Sequence, residues 1–227
     1  MKLYCGTSGF SFNEWKGHFY PEKLPGKEML GFYAGRLPAV EINNTFYRIP
    51  KKDVIAGWRA RVPDDFRFAI KISRRISHLK RLKDCEEPAG FFFDAIAGLG
   101  STLGCVLVQL PPHFRMDTDR LRHFLRLAPE DLPLAFEFRH PSWRDDDVFE
   151  ILREQDAAWV TADTEGRPDS SLPATATWTY LRLRAPMYST ENLRAWRDFC
   201  QDFDRAFVFF KHEEVGPSLA AQMLALD

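Results

Sequence analysis

Six short apolar runs, each ending on one polar residue, recur along this 227-residue chain, and helical patterns separate most of them. The runs read Val40-Glu41-Ile42, Ile70-Lys71-Ile72, Val108-Gln109-Leu110, Phe136-Glu137-Phe138, Leu181-Arg182-Leu183 and Phe210-Lys211-His212. A strand alternates its faces with period two, so each polar residue points away from its apolar neighbours. Strand-like segments are expected at about residues 2–6, 38–43, 66–72, 104–110, 133–139, 157–163, 176–184 and 206–212. Helical patterns cover Lys27–Arg36, Lys52–Arg61, Pro88–Leu99, Asp117–Leu127, Asp145–Gln155, Thr190–Phe203 and Ser218–Leu226. Parallel strands need crossover connections, so this alternation predicts a parallel sheet in an α/β fold. The best fit is a TIM-barrel-like (β/α) barrel of seven to eight parallel strands; a doubly wound open sheet would alternate in the same way. Residues 164–175 are rich in breakers and lack helical periodicity, so one helix is expected to be missing between strands six and seven. Neither a repeat nor a linker interrupts the pattern, which predicts one domain over residues 1–227.

Hydrophobic residues make up 45% of the chain, enough for a packed core, and the net charge of −1 supplies no global attraction to nucleic acid or anionic lipid. The four cysteines, Cys5, Cys85, Cys105 and Cys200, form no Cys-x-x-Cys pair, which argues against a zinc knuckle or a redox motif. The longest uncharged stretch, Ala95 to Phe114, is broken by Gly98, Gly100, Gly104 and Pro111-Pro112, so it does not read as a bilayer span. A start that runs directly into a strand leaves no room for a signal peptide, and the expected location is the cytoplasm.

Several motifs stand in order along the chain. Gly6-Thr-Ser-Gly-Phe10 precedes Trp15-Lys-Gly-His-Phe-Tyr-Pro21 and Val40-Glu-Ile-Asn-Asn-Thr-Phe-Tyr-Arg-Ile-Pro50. Phe68-Ala-Ile-Lys71 with Ile76-Ser-His78, Gln109-Leu-Pro-Pro-His-Phe114 and Phe136-Glu-Phe-Arg-His-Pro-Ser-Trp143 follow. Over residues 2 to about 185 the chain resembles the YecE-like family, domain of unknown function 72. The resemblance implies a TIM-barrel-like fold and brings no settled activity with it. Relatives usually read Leu-Arg-Leu-His-Gly after strand seven and Tyr-Phe-Asn-Asn at the last strand. This chain reads Leu181-Arg-Leu-Arg-Ala185 and Phe209-Phe-Lys-His212, so a family role for those positions does not transfer.

In a barrel, the expected inward groups near the mouth are Glu41, Asn43, Lys71, Gln109, Glu137, Arg139, Asp163, Arg182 and Lys211. Charges rarely enter an interior unpaired, so one outcome is a salt-bridge network that plugs the barrel. The other is an anion site in which Arg139, Arg182 and Lys71 hold a phosphate or carboxylate while Glu41 and Glu137 move a proton. Lys71 and His140 complete the candidate catalytic set, with His78 as a further shuttle. Tyr47 and Trp143, in loops that follow strands, suit stacking on a ring-shaped ligand. These roles fit a hydrolase, lyase or isomerase of a small anionic substrate, or a non-catalytic sensor of an anionic metabolite. No cofactor is identified. A divalent metal on Glu41, Glu137, Asp163, His140 and His212 is disfavoured because Lys71 and Arg139 would repel a cation. Residues 71–83 hold six basic residues and no acid, which opens the alternative of a nucleic-acid-binding or repair-associated protein.

Overall fold

A computed structural model of the chain describes residues 1–163, 165–168, 172–212 and 214–226. Eight parallel strands close into one barrel in sequence order. They are β1 (Lys2–Ser8), β2 (Ala39–Ile42), β3 (Arg67–Lys71), β4 (Leu103–Gln109), β5 (Leu134–Glu137), β6 (Ala158–Asp163), β7 (Trp178–Leu183) and β8 (Arg205–Phe210). Outside lie α1 (Met29–Ala34), α2 (Lys52–Arg59), α3 (Glu86–Ile96), α4 (Thr118–Leu125), α5 (Asp146–Glu154), α6 (Thr190–Cys200) and α7 (Gly216–Leu224). No helix occurs among the described residues between β6 and β7; Thr164, Asp169, Ser170 and Ser171 of the breaker-rich 164–175 segment lie outside them.

Local chemistry starts several of these helices. The Asp117 carboxylate accepts from the Arg120 N–H at α4, and Asp145 accepts from the Asp147 N–H at α5. Ser189 and Asn192 form a reciprocal capping box at α6. Apolar stripes such as Leu121, Phe124 and Leu125 on α4 then bury against the outward strand residues. Those outward residues include Val40, Ile42, Phe68, Ile70, Val106, Val108, Leu181, Leu183, Val208 and Phe210, and they form the larger core between barrel and helices.

The opposite strand faces fill the barrel. Tyr4, Trp178, Tyr180, Phe207 and Phe209 enter from β1, β7 and β8, while Ala39, Ala69, Ala135 and Ala158 face them from β2, β3, β5 and β6. The large side chains thus occupy the space that the alanines leave open. At the N-terminal end, Arg67 lies 5.5 Å from the Tyr4 ring and Arg205 5.6 Å from the Trp178 ring, so cations over aromatic faces close the bottom. At the C-terminal end the inward residues become polar.

The β1–β2 seam depends on a side chain. The buried Tyr33 hydroxyl of α1 accepts from the Thr7 N–H and donates to the Ala39 carbonyl, both at 2.9 Å, bridging two strands that pair over only three positions. The backbones approach so closely that a Cβ on Gly6 would sit 1.8 Å from the Ala39 oxygen. Only glycine fits there. Tyr33→Phe should lower stability by about 1–3 kcal/mol, because it strands buried backbone groups, and urea unfolding at unchanged m would measure the loss.

Candidate active site

Arg182 stands at the centre of the C-terminal mouth, almost wholly buried, between two carboxylates. Its Nη2 donates to Glu41 Oε1 at 2.8 Å, and its Nε lies 2.8 Å from Glu41 Oε2. On the other side its Nη1 donates to Glu137 Oε2 at 2.6 Å. Glu41 also accepts from Ser8 Oγ, Asn43 Nδ2 and Tyr180 Oη, each at 2.7 Å. Glu137 accepts from Gln109 Nε2 at 2.8 Å and from Arg139 and Arg184 at 3.2 Å. The alternation of β2, β5 and β7 brings all these groups to one place.

This geometry decides the protonation of the two acids. Burial, the largest single influence on each, favours the neutral form. For Glu41, the Arg182 charge and the hydrogen bonds from Arg182, Asn43 and Ser8 outweigh it and hold the carboxyl below its ordinary range. For Glu137, Arg182 and Arg184, with Gln109 and Arg139, bring the value from 4.5 down to about 2. Both acids are therefore counter-ions of Arg182. Of the two influences that set the proton transfer expected of them, the nearby cations outweigh burial at both acids, and Glu137 in particular is left a weak base.

The remaining cations open onto a cavity of about 260 Å³. Lys71, Arg139, Arg182, Arg184 and Lys211 line it, with Ser8, Asn43, Gln109, Phe46 and Tyr47 between them. Lys71 Nζ donates to Gln109 Oε1 at 2.8 Å and lies 4.4 Å from the Phe46 ring centroid. Tyr47 is 71% exposed at the rim. His78 stands beside the cavity, its ring 4.8 Å from that of Phe46. Burial, then Lys71 and Arg139, push His78 down to about 4, so it is neutral at pH 7.

Three expected site residues lie elsewhere. Asp163 points outward, because β6 turns Ala158 and Val160 into the barrel and a strand residue three positions past Val160 takes the other face. Its carboxylate accepts from the N–H groups of Glu165 and Gly166 and from Tyr188 Oη, which organises the loop after β6. Trp143 is fully buried in the outer core, stacked on Phe138 and donating to the Phe114 carbonyl. His140 Nδ1 accepts from the Ser142 N–H and caps the turn Pro141–Trp143. His212 is committed to the Ala185 carbonyl. Glu41 and Glu137, the remaining members of the mixed carboxylate–histidine set, face Arg182. Among the described residues no three His, Cys, Asp or Glu side chains converge as a metal site.

Four of the six basic residues of the run 71–83 have local partners or line the cavity. Lys71 enters the cavity, Arg74 lies over the Tyr47 ring, Arg75 faces Glu87 and Lys80 donates to the Asp84 carbonyl. Sequence reasoning left the side chains of Arg184 and Ser8 out of the site, while Phe46 stood with Tyr47 among the aromatics expected at the mouth. Arg184 carried a usable signal, since it shares the face of Arg182 two residues earlier. Ser8 lay just beyond the expected end of β1.

A closed barrel of eight parallel strands flanked by helices, with a polar, cationic mouth at the C-terminal ends of its strands, defines a TIM-barrel-like protein, and that mouth is its candidate site. A family model described as "Protein of unknown function DUF72" matches residues 4–226, and the chain belongs to that family. It is similar to the UPF0759 protein YecE of Escherichia coli K12, 35% identical over 142 residues, which are 62% of this chain and 50% of YecE. It is also similar to the UPF0759 protein YunF of Bacillus subtilis, 28% identical over 152 residues, 62% of this chain and 52% of YunF. The match thus spans about half the length of these relatives. A DUF72 family protein from Thermotoga maritima superposes with a TM-score of 0.83 at 27% identity, over 99% of this chain and 98% of that one. A DUF72 family protein from Enterococcus faecalis superposes at 0.78 with 23% identity, over 99% and 96% of the two chains, and shares the fold. Among the described residues, no helix is long and apolar enough to cross a membrane.

Two measurements check the central ion cluster. Arg182→Met should destabilise the protein by about 3–5 kcal/mol, because two buried carboxylates lose their shared counter-ion. Glu137 is lower in the folded chain, so its contribution is present above pH 4.5 and disappears as pH falls from 4.5 toward 2. That contribution is on the order of 3 kcal/mol. Acid titration of urea stability should show this dependence, and the Glu137→Gln variant should flatten it.

Proposed function

We propose that this protein binds, and acts on, a small ligand carrying a phosphate or carboxylate group, held in the cavity at the C-terminal mouth of the barrel. The supporting observation is the charge imbalance there. Five cationic side chains line the cavity, and only the carboxylates of Glu41 and Glu137 lie against them among the described ion pairs. Arg139 and Arg184 line the cavity with guanidinium groups, which suit oxyanions, and Lys211 adds an exposed cation. Arg182 is consumed by its two carboxylates and serves as the fixed floor. Buried ion pairs are poor stabilisers against an apolar core of the same volume, so stability alone does not account for a cluster with surplus positive charge.

Lys71 is the group in this cavity suited to proton transfer near neutrality. Burial, followed by the Arg182 charge, lowers its ammonium to about 8. Calorimetry with sulfate, whose charge does not change near neutrality, tests the reading. Sulfate should bind, Arg184→Ala and Lys211→Ala should each weaken it by roughly tenfold, and binding should decline as pH rises through 8 and Lys71 loses its proton. Equal affinity in both variants and in the wild type would place the anion elsewhere and end the reading.

A further inference from the structure

Lys71 differs from the arginines of the mouth in what it faces. Arg139, Arg182 and Arg184 all reach Glu137, and Arg182 reaches Glu41 as well. Among the described ion pairs Lys71 has no carboxylate partner; its ammonium donates to the neutral amide of Gln109 and sits against the Phe46 ring. It is half-buried at the C-terminal end of β3, on the wall of a cavity that also carries Arg139, Arg184 and Lys211. An amide and an aromatic face stabilise a charge less than a carboxylate does, and the neighbouring cations oppose it. The same surroundings favour the neutral amine more than at an exposed lysine, and the side chain lines a space of about 260 Å³.

We propose that Lys71 forms an imine with a carbonyl compound that also carries a phosphate or carboxylate, an assignment that rests on the anion-binding reading of the mouth. The Lys71 nitrogen adds to the carbonyl carbon, the carbonyl oxygen leaves as water with the two amine hydrogens, and a C=N bond replaces C=O. One proton from solvent converts the imine to an iminium, which draws electrons from the adjacent carbon and weakens the bonds to it. Arg139, Arg184 and Lys211 hold the anionic group within the same cavity, which orients the carbonyl toward the amine. Gln109 and Phe46 position the amine; their own atoms take no part in the bond changes.

The test treats the intact protein with pyridoxal phosphate, an aldehyde bearing a phosphate, followed by borohydride reduction and peptide mapping by mass spectrometry. Lys71 should be the principal site at neutral pH, modified roughly tenfold faster than any other lysine because more of it is neutral. Inorganic phosphate should suppress the reaction, pyridoxal without the phosphate should react at Lys71 roughly tenfold more slowly, and Lys71→Arg should abolish the adduct. A label spread over exposed lysines, with Lys71 unmodified, overturns the imine; calorimetric binding of sulfate in the same sample would leave the anion site standing. A label on Lys71 that phosphate does not suppress overturns the assigned substrate class, and absent sulfate binding would then remove the anion site as well.

Discussion

The guanidinium of Arg182, clamped between Glu41 and Glu137, is the contact on which the mouth of this barrel depends. It joins β7 to β2 and to β5 across the barrel interior. Each of the three charges would be costly to bury alone, and each is satisfied only when the strands keep their mutual register. Tyr180 continues the lock downward, donating its hydroxyl to Glu41 while its ring packs with Phe207 and Phe209 in the barrel interior. Electrostatics at the top and packing at the centre are thus one continuous structure.

That clamp also determines what the mouth is able to do. Once Glu41 and Glu137 are paired with Arg182 their ionised forms are favoured, and the surrounding cations exceed them. The surplus faces the cavity, where it suits an anion. Lys71, whose ammonium contacts an amide and an aromatic ring and feels Glu41 and Glu137 only at longer range, is the cavity lysine whose proton is held less tightly than usual. A cluster that holds strands in place and one that handles a ligand need not be alternatives: Arg182 performs the first role, and the proposed function assigns the second to the residues around it.

Much of this is legible in the amino-acid sequence. Period-two alternation put Glu41, Lys71, Gln109, Glu137 and Arg182 on inward faces, and the repeated crossovers called for parallel strands. The breaker-rich stretch after Asp163 marked the connection in which the described residues form no helix. Less legible were residues whose orientation depends on a loop or on one step of strand parity. Asp163 ends β6 on the outward face, and Trp143 turns from its loop into the outer core, where Phe138 and Phe114 meet it. His140 spends its acceptor on its own turn. An aromatic or a histidine just after a strand has the same local sequence whether it lines a mouth or plugs the shell beneath it.

The sequence by itself determined the strand–helix alternation, the inward face of most strand-tip polar residues and the presence of opposite charges at strand tips, because all three follow from local periodicity. Only the tertiary structure decided which charges meet. Arg182 and Glu41 are separated by 141 positions along the chain, yet they lie at hydrogen-bond distance. Coulomb energies and pKa values depend on distance and burial in space rather than on spacing in sequence. For that reason the protonation of both glutamates, and the isolation of Lys71 from any carboxylate among the described ion pairs, emerged only when the barrel closed.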